Sequence, residues 1–252
     1  MEDKKFNQVA KIYEKYRPSY PEEYIKYLIN RCNLNKNSTI ADIGAGTGIF
    51  SKQLLDNDLK VIGVEPNDEM RKVLEKKLKN NKNFTSLKGN DKNTGLEKSS
   101  IDLITVAQAF HWFNIEDFRK ECMRILKPEG KICIVWNKLD LTDTIVKEKK
   151  EIDYKYTNQY KEINNILQDE ERENLIKDFF KTGKYECRIT PNNLIYNKES
   201  FIGVNLSKSY SLRKEDKNYN QYIKAFEELF DKYSKDGKLL IKNNTYGYLG
   251  QL

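Results

Sequence analysis

The 252 residues are 38% hydrophobic and 12% aromatic, which supplies a core for one α/β domain with a cap and excludes a wholly disordered chain. No run approaches the roughly 18 consecutive apolar residues of a membrane helix, and the charged start Met1-Glu-Asp-Lys-Lys has no apolar stretch behind it. The expectation is therefore no signal peptide and a cytoplasmic location. The net charge, 45 − 38 = +7, is carried mostly by Lys, and acids interleave the Lys clusters, as over 147–151. That pattern describes a solvated surface better than a nucleic-acid face.

In chain order, 20–31 reads as a helix, with Pro21 near its first turn. Thr39 to Ile43 reads as a short strand that runs at once into Gly44-Ala-Gly-Thr-Gly48, with a helix from Ile49 to Asn57. Lys60 to Glu65 is a second strand. Asn67 is positioned to cap a helix over 68–79, whose Met70, Val73, Leu74 and Leu78 form one stripe. Strands follow at 84–87 and 101–107. A helix over 116–126 is expected to end in the turn Lys127-Pro-Glu-Gly130, before a fifth strand over 131–136. Short β-branched strands alternating with helices predict a parallel, doubly wound α/β sheet, with ligands outside the carboxyl ends of its strands. Beyond 138 the pattern weakens. Residues 141–181 are polar and helical in character, and 184–196 holds a candidate strand. Helical pattern resumes over 199–235, its second helix from Tyr219 to Tyr233, and 238–248 reads as a last strand.

The four cysteines (32, 122, 133 and 187) are widely spaced and His111 is the single histidine, so neither a metal site nor a disulfide framework is expected. Cys133 lies in an apolar strand and is expected in the core. The glycine loop has the spacing G-x-G-x-G. The dinucleotide pattern needs a sixth-position glycine where Ile49 stands, and no Walker lysine follows. Glu65 ends the second strand, seventeen positions past Gly48, where an acid can accept both hydroxyls of a ribose.

Ala41 to Gly48, together with Val64-Glu-Pro-Asn67, resembles the class I S-adenosylmethionine-dependent methyltransferases. Val106 to Phe113, the turn 126–131 and the opening 13–21 are similar to the small-molecule branch that includes trans-aconitate methyltransferase-like enzymes. The resemblance covers 6–137. It implies a Rossmann-like, mostly parallel seven-stranded sheet with an antiparallel C-terminal strand and a helical cap. The implied division is a cofactor-binding core over 1–137, a mainly helical cap over 138–237 with one core strand near 184–196, and a last core strand in 238–252.

The resemblance also implies roles in holding S-adenosylmethionine and releasing S-adenosylhomocysteine. Asp42 would orient the loop and face the methionine end, while Gly44, Ala45 and Gly46 would pass beneath the cofactor. Glu65 would take the ribose, Pro66 and Asn67 the adenine face, and one of Asn90 and Asp91 the adenine amino group. Ala107 and Gln108 would line the sulfonium end. The reaction implied is in-line methyl transfer, in which the protein supplies orientation and a dry site. His111 is the candidate base or substrate contact. Arg17, Tyr20 and Trp112 are candidate acceptor contacts, with Tyr13, Tyr16 and Phe113 nearby and Ser207, Ser209 and Tyr210 as cap residues lining a pocket. The expected partner is a small-molecule acceptor with a carboxylate or hydroxyl group, the chain acting as monomer or homodimer, with no membrane and with nucleic acid disfavoured. The alternative readings are an RNA or protein methyltransferase and a cofactor-binding protein without turnover. No [DNS]-P-P-[YFW] tetrapeptide of the DNA-base enzymes follows the fourth strand.

Overall fold

Alternating strands and helices run through residue 137 in the computed structural model, which describes residues 10–158, 169–181 and 184–252. Expectations that fall on 1–9, 159–168 and 182–183 lie outside the described residues. After the short α1 (Ala10–Tyr16) come α2 (Glu22–Arg31), β1 (Thr39–Ile43), α3 (Ile49–Leu55), β2 (Lys60–Val64), α4 (Asp68–Leu78), β3 (Phe84–Leu87), β4 (Ile101–Ala107) and α5 (Ile115–Ile125). Asn67 caps α4 as its position predicts, its Oδ1 accepting from the Met70 amide at 2.9 Å.

Together with β5 (Leu126–Leu139), β6 (Tyr185–Pro191) and β9 (Asn243–Gly250), these strands form one seven-stranded sheet in the order β3-β2-β1-β4-β5-β9-β6. The pairs from β3 to β5 are parallel. β9 is antiparallel to both β5 and β6, so it alone runs against the rest. This is the expected Rossmann-like class. The period of two along each strand divides the core. Ala41, Ile43, Ile104 and Val106 face Phe118, Ile125 and Trp136 on one side, whereas Ile40 and Leu103 face Tyr24, Leu28, Phe50 and Leu74 on the other. Cys133 is buried, and its Sγ lies 3.0 Å from the Tyr24 hydroxyl.

Three features depart from the predicted elements. The segment 127–130 does not separate helix from strand but bulges inside β5: Leu126 pairs with Ile101 and Lys131 with Leu103. Gly130 closes that bulge because a Cβ there would lie 3.1 Å from the Ile101 carbonyl oxygen and 2.7 Å from Leu126 Cδ2. The last strand is split, since β8 (Leu239–Ile241) pairs with β7 (Leu194–Tyr196) in a separate two-stranded sheet before β9 enters the core. The second half of the 184–196 candidate therefore belongs to the cap. Finally, the helix α7 (Asp169–Phe180) sends Ile176, Phe179 and Phe180 into the sheet's core.

The cap consists of α6 (Thr144–Tyr156), α8 (Lys198–Leu206), α9 (Tyr219–Tyr233) and the β7–β8 pair. They share a core of Val146, Tyr196, Phe201, Tyr222, Phe226, Leu229 and Phe230. The α9 positions 222, 226, 229 and 230 recur at helical spacing, so one face of that helix is apolar. α1 lies against the cap, with Tyr16 packed on Gly203 so closely that a Cβ there would sit 2.4 Å from the ring. Lys15 Nζ and the Tyr16 hydroxyl both donate to Glu199. No helix among the described residues is long and apolar enough to cross a membrane.

Candidate functional site

The strand order reverses direction at β1, which has β2 on one side and β4 on the other. Such a switch point opens a crevice at the carboxyl ends of its strands, and the glycine loop stands there. Gly44, Gly46 and Gly48 have φ of 71°, 58° and 78°, a region that excludes most side chains. The amides of Gly44 and Ala45 both donate to the Val64 carbonyl, at 2.9 and 3.1 Å, which fastens the loop to the end of β2. A Cβ at Gly44 would lie 2.7 Å from that of Ala109, so the loop also touches the segment after β4; one at Gly46 would meet nothing within 4 Å.

Glu65 bridges the two loops. Its carboxylate accepts from the Gly46 amide at 2.8 Å and from the Asn67 amide at 2.9 Å. An ionised carboxylate has about four acceptor positions. Pro66 beside it is half-buried, and Arg71 donates to the Glu65 carbonyl. The sequence reading missed Thr47, whose hydroxyl in the same loop is buried without a hydrogen-bond partner. Its signal was only its place between Gly46 and Gly48. A buried orphan hydroxyl is costly and favours a ligand that satisfies it.

Asp42 is 1% exposed and lies on the α3 side of the sheet. Ser51 Oγ donates to one of its oxygens at 2.5 Å and Thr105 Oγ1 to the other at 2.9 Å, so the carboxyl ties β1 to β4 and α3. Burial pushes it up to about 6, against the lowering effect of those hydrogen bonds. An acid raised in the folded state penalises folding once it ionises. The penalty is nil below the unfolded value near 3.8, grows as pH rises and is complete above about 6. The stability of the wild type relative to Asp42→Asn is therefore expected to fall by about 2 kcal/mol from pH 4 to 6 and to level off at a total of about 3 kcal/mol above pH 7. Denaturant unfolding of both proteins across that range checks it, and a pH-independent difference would refute the raised value.

On the β4 side, Ala107 is half-buried and Gln108 adopts φ 60°. The Gln108 amide donates to the Val135 carbonyl and its Nε2 to the Asn137 carbonyl. A non-glycine residue held in this region costs of order 1–3 kcal/mol and persists only where its surroundings impose it. The pair after Gly89 divides: Asn90 Oδ1 accepts from the Lys92 and Asn93 amides within its own turn, whereas Asp91 accepts from the Asn114 amide at the start of α5.

His111 and Trp112 lie on a short turn, Phe110–Trp112, whose Phe110 is fully buried against Phe118, Trp136 and Phe179. The two rings are half-buried with centroids 4.8 Å apart. Tyr20 is buried edge-on to Phe50, and burial, then Tyr13 and Asp42, pushes its hydroxyl well above the ordinary range. Arg17 lies over the Tyr13 ring at 4.6 Å and donates to the Ser207 carbonyl of the cap. Two surface hollows, of about 320 and 350 Å³, lie elsewhere: one runs along Thr39, Leu96 and Ile101, the other along Lys92, Glu121 and Arg124. Among the described residues no group of three or more His, Cys, Asp or Glu is arranged to hold a metal ion.

A family model described as a methyltransferase domain matches residues 41–134, the span that carries the glycine loop, Glu65 and the β4 segment. An uncharacterized methyltransferase of Schizosaccharomyces pombe is 37% identical over 126 residues, 50% of this chain and 49% of that protein. An uncharacterized methyltransferase of Mycobacterium tuberculosis is 35% identical over 147 residues, 58% of each chain. The chain thus spans between half and three-fifths of the length of these curated relatives. Among solved structures, a candidate type II methyltransferase from Anaeromyxobacter dehalogenans superimposes with a TM-score of 0.66 at 16% identity, covering 94% of this chain and 98% of that one, which shows the shared fold. Residues 41–134 thus match a methyltransferase domain, carried on the same fold as that solved structure.

Proposed function

We propose that the chain methylates a small-molecule acceptor at an oxygen, a carboxylate or hydroxyl, in the crevice between the glycine loop and the cap. The observation that carries this reading is the Glu65 carboxylate, held by the Gly46 and Asn67 amides at the switch point of the sheet. The residues present fit the cofactor. Open space lies above Gly46, the buried Thr47 hydroxyl lacks a partner, and the Glu65 carboxylate stands beside that loop as a hydrogen-bond acceptor.

Gly44, Ala45 and Gly46 form the floor, Pro66 and Asn67 flank the adenine, and Asp91 is the better placed of its pair, because Asn90 is spent on its own turn. Asp42 acts through Ser51 and Thr105 by holding the loop's root. When bound, S-adenosylmethionine supplies a methyl group on a sulfonium sulfur, ready for in-line transfer. The chain's own task is to orient the acceptor and exclude water. Gln108, held rigid by Val135 and Asn137, borders the reacting end, and His111 with Trp112 walls the acceptor side, His111 serving as base where the acceptor must lose a proton. The cytoplasm is the compartment this reading assumes.

Calorimetric titration tests it. S-adenosylmethionine and S-adenosylhomocysteine are expected to bind in the micromolar range and NAD not at all. Formation of S-adenosylhomocysteine should then depend on an acceptor drawn from a panel of small acids and alcohols. Failure of both sulfur nucleosides to bind would overturn the reading, and turnover restricted to RNA or protein would overturn the small-molecule acceptor.

A further inference from the structure

Where the cap meets the segment after α1, two lysines share one buried carboxylate and an arginine stands near them. Asp153 is fully buried, and its Oδ2 accepts from Lys149 Nζ at 3.1 Å, Lys208 Nζ at 3.3 Å and the Tyr210 hydroxyl at 3.3 Å. Its Oδ1 accepts from the Tyr222 hydroxyl at 2.7 Å. The Lys149 and Lys208 side chains are only 7% and 13% exposed. Both ammoniums share one carboxylate oxygen, and Lys208 has the Asn205 Oδ1 as a further, neutral acceptor. Arg17 joins from the other side, its Nη2 on the Ser207 carbonyl and its buried Nε without a hydrogen-bond partner. Arg213 packs against the same loop, but its guanidinium is taken by the Leu206 and Lys208 carbonyls, and Asp216 stands beside it.

Buried charge is tolerated when it is paired. Here Lys149 and Lys208 share a single carboxylate oxygen, and Arg17 beside them has a carbonyl, not an acid, as its hydrogen-bond partner. Burial drives Lys208 well below the ordinary lysine range, with Lys149 and Arg17 adding to the effect and Asp153 opposing it. The same two lysines outweigh the burial of Asp153 and hold its carboxyl down at about 2. The convergence of these donors on one carboxylate leaves the cluster poised to accept a compact anion.

Its position connects it to the reaction site. Two residues past Arg17, the Ser19 carbonyl accepts from Asn137 Nδ2, and the Asn137 carbonyl accepts from Gln108.

We propose that this cluster seats a phosphomonoester group carried by the methyl acceptor, with Arg17, Lys208 and Lys149 as its ligands. A phosphomonoester concentrates nearly two charges and three acceptor oxygens at one point, which matches the convergence of donors better than carboxylates spread along a chain. The proposal rests on the methyltransferase reading above, because it gives that crevice its acceptor class.

Inorganic phosphate is the probe, titrated into the full chain near neutral pH, with S-adenosylhomocysteine binding measured on the same protein. Saturable binding is expected. Lys208→Met and Arg17→Met should each weaken phosphate by about tenfold or more, and malonate should bind wild type about tenfold less tightly than phosphate. Lys208→Arg should retain binding, which separates lost charge from lost folding, and Lys224→Met on the exposed side of α9 should change nothing. S-adenosylhomocysteine affinity should stay within about twofold throughout. The proposal is overturned if phosphate does not bind, if malonate binds as tightly, or if the two Met variants bind phosphate like wild type. Absence of phosphate binding to the wild type, with its S-adenosylhomocysteine binding intact, overturns this inference alone. Absence of S-adenosylhomocysteine binding in the wild type overturns the methyltransferase reading and, with it, the acceptor assignment.

Discussion

Glu65→Ala is expected to weaken S-adenosylhomocysteine binding about a hundredfold, near 3 kcal/mol. Two losses combine. The carboxylate is the acceptor for the ribose hydroxyls in the proposed pose, and charge-assisted hydrogen bonds contribute about 1.5–3 kcal/mol each. The same group also holds the Gly46 and Asn67 amides at 2.8 and 2.9 Å, so its removal frees the loop that forms the floor of the site. Glu65→Gln is the sharper comparison. A carboxamide keeps the shape, but its NH2 must face either the Gly46 or the Asn67 amide, donor against donor. It should therefore lose most of the affinity that Ala loses and, because Glu65 and Asn67 are both buried, lower the thermal unfolding midpoint as well. Calorimetry on the three proteins decides the matter. Unchanged affinity in both variants would remove Glu65 from the site.

Gly44→Ala is expected to damage fold and site together. With φ at 71°, an added Cβ is strained before any contact is considered. It would also sit 2.7 Å from Ala109 Cβ and 3.3 Å from the Phe113 ring. Ala109 carries its Cβ on backbone, so it yields only if the segment after β4 moves. That segment leads into the turn bearing His111 and Trp112. Strain and overpacking together amount to about 2–5 kcal/mol, a fall of roughly 5–15 °C in the unfolding midpoint for a domain of this size. Gly46→Ala provides the contrast. It has the same left-handed strain with nothing within 4 Å of the new Cβ, so it should lose stability only through backbone strain while placing a methyl group where the cofactor is proposed to lie. A Gly44→Ala protein as stable as wild type would show that the two loops do not press on each other.

The core was legible because its signals are local. The strand-loop-helix at 39–55 is written in consecutive residues, and Asn67 precedes the apolar stripe it caps. Glu65 stood out as a candidate because the signal depends only on its distance from a glycine loop, and the fold brings its carboxylate onto the Gly46 amide of that loop. What escaped prediction depends on residues far apart. The turn chemistry of Lys127 to Gly130 is real, but whether it ends a strand or bulges from one is decided by Ile101 across the ladder. The break between β8 and β9 is decided by which partner each half finds, Leu194–Tyr196 in the cap or β5 and β6 in the core. The Asp153 cluster gathers residues 17, 149, 208, 210 and 222 with no shared spacing, so only the folded chain brings them together.

The insertion of β9 between β5 and β6 sets an order on synthesis. β6 has β9 as its one neighbour in the sheet, yet its residues, 185–191, leave the ribosome more than fifty positions before 243–250. Strands β1 to β5 can pair as they emerge, each finding a neighbour already made, because domains begin to fold from the amino end during translation. Until β9 arrives, β5 keeps an open edge and β6 has nothing to join, with Ile189 facing solvent even in the finished molecule. From the completion of β6 until β9 is made, while the rest of the cap is synthesised, the nascent chain therefore carries both the open edge of β5 and an unpaired β6. It is in this window, rather than in the completed fold, that it needs shielding from its own copies on a polysome.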